Sequence, residues 1–119
     1  MIETLILELG MGADVHGNDQ TKAALRAISD AIRHSSLTVF YSYKHPSEMQ
    51  VEVTIGTPDP DGLDRQAVAD ALPFGSVEVT VVKGGLSDVG MGGAEDITLV
   101  TAAVKARLDT SDHPFRLVR

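Results

Sequence analysis

The stretch LGMGADVHGND, residues 9 to 19, closes a run that reads as a strand, MIETLILEL, and opens one that reads as a helix. Three glycines fall within eight residues there, with an acid and a histidine between them. Glycine lacks a Cβ, so it takes positive φ and lets another group come close. Gly10, Gly12 and Gly17 therefore mark a tight passage from strand to helix. The N-terminus of that helix offers unpaired N–H donors and a partial positive charge, which favour a carboxylate or an anion nearby.

Working outward, the helix spans about Asp19 to His34, with Ala24, Leu25, Ile28, Ala31 and Ile32 as an apolar stripe. Asn18 or Asp19 is placed to cap its first turn. Four segments alternate apolar and polar residues, and each puts its apolar set on odd numbers. These are Leu5, Leu7, Leu9; Leu37, Val39, Tyr41, Tyr43; Met49, Val51, Val53, Ile55; and Val77, Val79, Val81. The odd face of each is expected to pack on the helices and the even face to be wet. A second helix, about Arg65 to Leu72, has Asp64 as its cap, Leu63 and Val68 as a staple, and Pro73 and Gly75 beyond its end. TPDPDG, residues 57 to 62, is a turn-rich loop before it. Residues 96–109 fit both a helical and an alternating period, and a strand is the reading taken.

The order β-α-β-β-α-β(-β) predicts a single α+β domain over residues 1–119. It would be a two-layer sandwich of one mixed sheet with two helices on one face, ferredoxin-like or chorismate-mutase-like. The uncovered face and the strand edges then predict a homo-oligomer.

Asp14 and His16 are two apart, which in an extended stretch points both side chains the same way. They are the candidate catalytic pair, with His16 as acid/base and Asp14 orienting it, or both as ligands of a divalent metal. Gly10, Gly12, Gly17, Asp19 and Lys22 would line the same pocket, Lys22 pairing a small anionic ligand. KGGLSDVGMGGAED, residues 83 to 96, supplies Gly84 and Gly85 as an opposite wall if the two loops converge. The competing reading is structural: Asp14 caps the turn, His16 holds a backbone carbonyl, and the motif only shapes a corner or an interface. Val15 falls where G-x-G-x-x-G needs its third glycine, so dinucleotide binding is set aside.

The spacing G-x-G-x-D-x-H-G, Gly10 to Gly17, resembles the signature of a family of conserved hypothetical proteins, the Lin-type proteins of bacteria and plants. TKAALRAISDAIRHSSL, VEVTIGTP, LPFG and VEVTVVKGGL are similar to that family's other blocks. The resemblance implies candidate residues and no reaction.

Composition bounds the rest. Seventeen acids against ten bases give a net charge of −7 with no Lys/Arg cluster, which argues against nucleic acid and anionic membranes as partners. The absence of cysteine excludes disulfides, thiolate catalysis and Cys-based zinc sites. No run approaches the roughly 20 apolar residues of a membrane span, and acids stand where a signal peptide has bases, so a cytoplasmic address is expected. Two functions remain: an oligomeric small-molecule-binding protein or enzyme with its pocket at the Gly10 to Gly17 corner, and a non-catalytic assembly module.

Overall fold

In the computed structural model, which describes residues 1–33, 46–73, 75–90, 95–109 and 111, the chain forms five strands and two α-helices. In chain order they are β1 (Ile2–Asp14), α1 (Gln20–Ile32), β2 (Gln50–Thr57), α2 (Arg65–Asp70), β3 (Ser76–Lys83), β4 (Leu86–Val89) and β5 (Glu95–Asp109). The strand expected over Leu37 to Tyr43 lies outside the described residues, as does most of the second GMG stretch. Among the described residues no helix is long and apolar enough to cross a membrane.

The sheet is mixed, with strand order β1-β5-β2-β3. β5 runs antiparallel to both β1 and β2, whereas β2 and β3 are parallel neighbours joined through α2. β4 continues past the end of β2 and pairs with the first residues of β5. Both helices lie on one face, giving the α+β sandwich expected from the element order. Residues 96–109 belong to β5, as their alternation suggested.

The core is built from three alternating rows. β2 buries Val51, Val53 and Ile55, and β5 buries Val100, Ala102, Val104, Ala106 and Leu108. β3 contributes Val77, Val79 and Val81 at the margin. Each fully buried aliphatic side chain stabilises by about 1.5 to 3 kcal/mol through removal of apolar surface from water. α1 places Ala23, Ala24, Ala27, Ile28 and Ala31 on these rows. α2 adds Val68, with Leu63 buried just before its Asp64 cap.

β1 departs from the expected parity. Its odd residues Leu7, Leu9 and Met11 are exposed, and the even residues Gly10, Gly12 and Asp14 face the helix. Pairing confirms the sides, because Gly10 stands opposite Ala102 and Gly12 opposite Val100, both buried. A bulge between Thr4 and Ile6 shifts the register nearer the N-terminus. The reason for the inversion is space. A Cβ on Gly10 would collide with the Ala27 carbonyl and stand 3.0 Å from the Ala31 Cα. One on Gly12 would collide with the Ala23 carbonyl and the Ala27 nitrogen. Helix backbone therefore rests on strand backbone, and no side chain fits at either of these two positions.

Replacing Gly10 or Gly12 with Ala is expected to cost on the order of 1 to 3 kcal/mol through overpacking against helix backbone. Leu9→Ala, on the exposed side of the same strand, should change stability by no more than about 0.5 kcal/mol. Urea denaturation of the three variants checks both. A tolerated Gly10→Ala with a costly Leu9→Ala would restore the parity read from hydrophobicity alone.

Candidate functional site

β1 ends at Asp14, and the chain then turns into α1 through two residues with positive φ, Gly17 at 91° and Asn18 at 55°. The stretch is thus no longer extended at His16, so Asp14 and His16 do not share a face. Asp14 points inward and is almost completely buried, whereas His16 is exposed. Among the described residues, the His16 ring makes no hydrogen bond or ion pair with Asp14.

The Asp14 carboxylate is held from several sides. Its Oδ2 accepts the Asp19 backbone N–H at 2.9 Å, closing the turn. Its Oδ1 lies 3.7 Å from the Lys22 ammonium and 4.0 Å from the Arg26 guanidinium, which also donates to the Ala13 carbonyl. The Asp19 N–H is the strongest influence holding the Asp14 carboxyl below its ordinary range. Burial opposes it, and Lys22, the His16 backbone N–H and Arg26 reinforce it. Asp19 itself caps α1, its side chain accepting the Lys22 N–H at 2.9 Å. Lys22, assigned from the sequence to an anionic ligand, is therefore turned toward a carboxylate of the protein.

Beside this corner lies a buried polar cluster that sequence reading missed, with Gln20 at its centre. The Gln20 amide oxygen accepts from the Thr57 hydroxyl and from the Asp59 N–H at 3.2 Å. Its amide nitrogen donates to the Asn18 carbonyl at 3.2 Å and to the Thr98 hydroxyl oxygen at 3.3 Å. Thr98 in turn donates to Asn18 Oδ1 at 2.6 Å. Gln20, Thr57 and Thr98 are all buried, so these bonds are satisfied within the protein. The cluster ties the start of α1 to the end of β2 and the start of β5. A signal existed in the sequence: Thr57 continues the Val51, Val53, Ile55 row, and Thr98 precedes the Val100, Ala102 row.

Gly84 and Gly85 are turn residues between β3 and β4 rather than a second wall for Asp14. Gly84 donates its N–H to the Thr57 carbonyl at 3.0 Å, and Gly85 has a φ of 66° where a Cβ would strike the Leu99 carbonyl. Gly84 does border a shallow concavity, but on the open face of the sheet, with Leu9, Met11, Gly56 and Val82. Asp14 and His16 do not line it. Among the described residues, no three His, Asp or Glu side chains are placed to hold a metal ion.

Three outcomes follow from this geometry. Because its folded-state carboxyl titrates below the ordinary range, Asp14 stabilises fully above that range and loses its contribution as pH falls through the folded value. Asp14→Asn should thus be less stable than the parent at pH 7, and the gap should close in acid; thermal melts from pH 7 to pH 2 measure it. Gln20→Ala should cost on the order of 1 to 3 kcal/mol by stranding the Thr57 hydroxyl and the Asp59 N–H. His16→Ala should stay within about 0.5 kcal/mol in the same denaturation assay, since the ring is exposed.

Comparison with other proteins agrees with the fold and assigns no activity. The chain is similar to a crystal structure of an FtsZ-like protein of unknown function from Nostoc punctiforme PCC 73102, with a TM-score of 0.81 and 34% identity. That likeness covers 91% of this chain and 97% of the other. None of the curated proteins matches. A family description, conserved hypothetical protein, Lin0512 family, matches residues 4–106, which include the glycine corner, both helices and nearly all of the sheet. The chain belongs to the Lin0512 family of conserved hypothetical proteins.

Proposed function

We propose that this protein is a non-catalytic assembly module that works as a homo-oligomer, with the Gly10 to Gly17 corner serving the fold. The observation that carries the reading is the state of Asp14. A catalytic or ligand-binding carboxylate needs access to solvent or substrate, whereas this one is buried and held by the Asp19 N–H, Lys22 and Arg26. Gly10 and Gly12 likewise have a complete explanation in helix packing, which leaves no space on their inner side for a ligand.

The apolar residues of β1 support the same reading. Leu7, Leu9 and Met11 are each more than half exposed, which is unusual for three side chains in a row on one strand face. Contiguous apolar surface of this kind marks interaction sites in folded proteins. Closed symmetric homo-oligomers are the commonest way to cover it.

The enzyme reading retains one feature, an exposed His16 two residues along the chain from the Asp14 carboxylate that Lys22 and Arg26 approach. Light scattering distinguishes the two readings at the level of mass: at micromolar concentration the protein is expected at a multiple of 12.6 kDa. A single-chain mass would end the assembly reading.

A further inference from the structure

The open face of the sheet has a relief that the strand register makes explicit. Successive rows across the strands run Leu9, Ala103, Thr54; then Met11, Thr101, Gly56, Val82; then Ala13, Leu99, Leu86. Large side chains stand on β1, at Leu9 and Met11, which are 68% and 61% exposed. Small residues fill the middle of the sheet, on β5 and β2. The outcome is a ridge on β1 beside a trough floored by Thr54, Gly56, Thr101 and Ala103, the shallow concavity described above.

Resting on the assembly reading, we infer that this face docks a second copy of the same chain, the β1 ridge of each seated in the trough of the other. The argument for that occupant is self-complementarity. In a two-fold interface the same patch serves both copies, so a surface must present both a knob and a hole, side by side. A two-fold axis parallel to the strands, running over β5, exchanges ridge and trough. Leu9 and Met11 of one copy then lie over Thr54 and Gly56 of the other. Gly56 itself carries no side chain, and the Thr101 hydroxyl, 2.8 Å from where a Cβ on Gly56 would stand, is the small group that lies over it.

Charge supports the same occupant. The chain carries −7, so most pairings of its surface with itself are repulsive. The polar end of the open face, by contrast, holds three acids, Glu52, Glu78 and Asp109, against Lys105, Arg107 and the N-terminal ammonium, with Glu52 and Arg107 paired at 2.9 Å and Asp109 and the ammonium at 3.2 Å. Two such faces meet without net repulsion. The remainder of the contact is apolar, and its burial supplies the driving force.

The absence of native cysteine makes the test direct. Thr101 lies beside the inferred axis, so Thr101→Cys should form a covalent dimer on mild oxidation, while Ser29→Cys on the exposed side of α1 should not. Leu9→Asp should bury an unpaired charge in the interface and weaken association at least about 100-fold, with an unchanged circular dichroism spectrum. An oligomeric parent, a covalent Thr101→Cys dimer and a dissociated Leu9→Asp together support the inference. An oligomeric parent whose Leu9→Asp variant keeps its mass and whose Thr101→Cys stays uncrosslinked overturns this face while leaving assembly intact. A parent that is a monomer at micromolar concentration overturns both. Should Leu9→Asp fail to fold, the Thr101→Cys result alone decides the face.

Discussion

Helix α1 meets strand β1 through backbone, at Gly10 and Gly12 on the strand and at Ala23, Ala27 and Ala31 on the helix. A residue every fourth position along a helix lies on one face, so these three alanines form a flat strip that the two glycines can reach. With side chains absent or reduced to methyl groups on both elements, the layers meet here backbone to backbone. That separation sets the height at which α1 begins, and hence where Asp19, Gln20, Lys22 and Arg26 stand relative to the ends of the strands. A longer side chain at either glycine would lift the helix and pull Gln20 from Thr57 and Thr98 together.

The corner after β1 follows from that placement. The chain must leave a strand and enter a helix pressed against it within a few residues, which the positive φ values of Gly17 and Asn18 allow. A buried carboxylate at such a turn is tolerable only when hydrogen bonds and opposite charge replace water. Asp14 obtains the first from the Asp19 N–H and the second from Lys22 and Arg26. Acid, turn and the first two turns of α1 thus act as one unit. Its polar neighbour, the Gln20 cluster, fastens the same end of the helix to β2 and β5.

Close packing on one side of β1 has a consequence on the other. The later half of β1, whose inner positions are Gly10, Gly12 and Asp14, buries almost no apolar surface there, while its Leu9 and Met11 stand outward. In β2 the division is the ordinary one, apolar inward and polar outward, and β5 buries Val100, Ala102, Val104, Ala106 and Leu108 on the same inner side. The molecule therefore has a conventional core beneath two strands and an uncovered apolar ridge on a third. The corner is engaged in holding the fold, and the ridge has no cover among the described residues.

The residues alone determined a good deal. Alternation specified β2 and β3, because those strands bury one face in a side-chain core and their hydrophobic pattern reports it; β5 fitted a helical period as well, and its pairing with β1 and β2 decided the strand. Periodicity and capping chemistry specified both helices, with Asp64 as the cap of the second and Asn18 or Asp19 as that of the first, where the structure chose Asp19. The α+β layering followed from the order of elements. The sidedness of β1 did not follow, since glycine carries no hydrophobic signal and the leucines gave the opposite one. Nor did the roles of Asp14 and His16: the motif named both, but only the turn after Asp14 decided that one faces inward and the other outward. Gln20, Thr57 and Thr98 escaped notice because they lie 37 and 78 positions apart along the chain and meet only when the layers pack. Sequence pattern encodes what a residue prefers along its own element. Which backbone approaches which, and how closely, is decided by tertiary contact, and in this protein that distance decides which side of β1 the glycines of its most distinctive motif face.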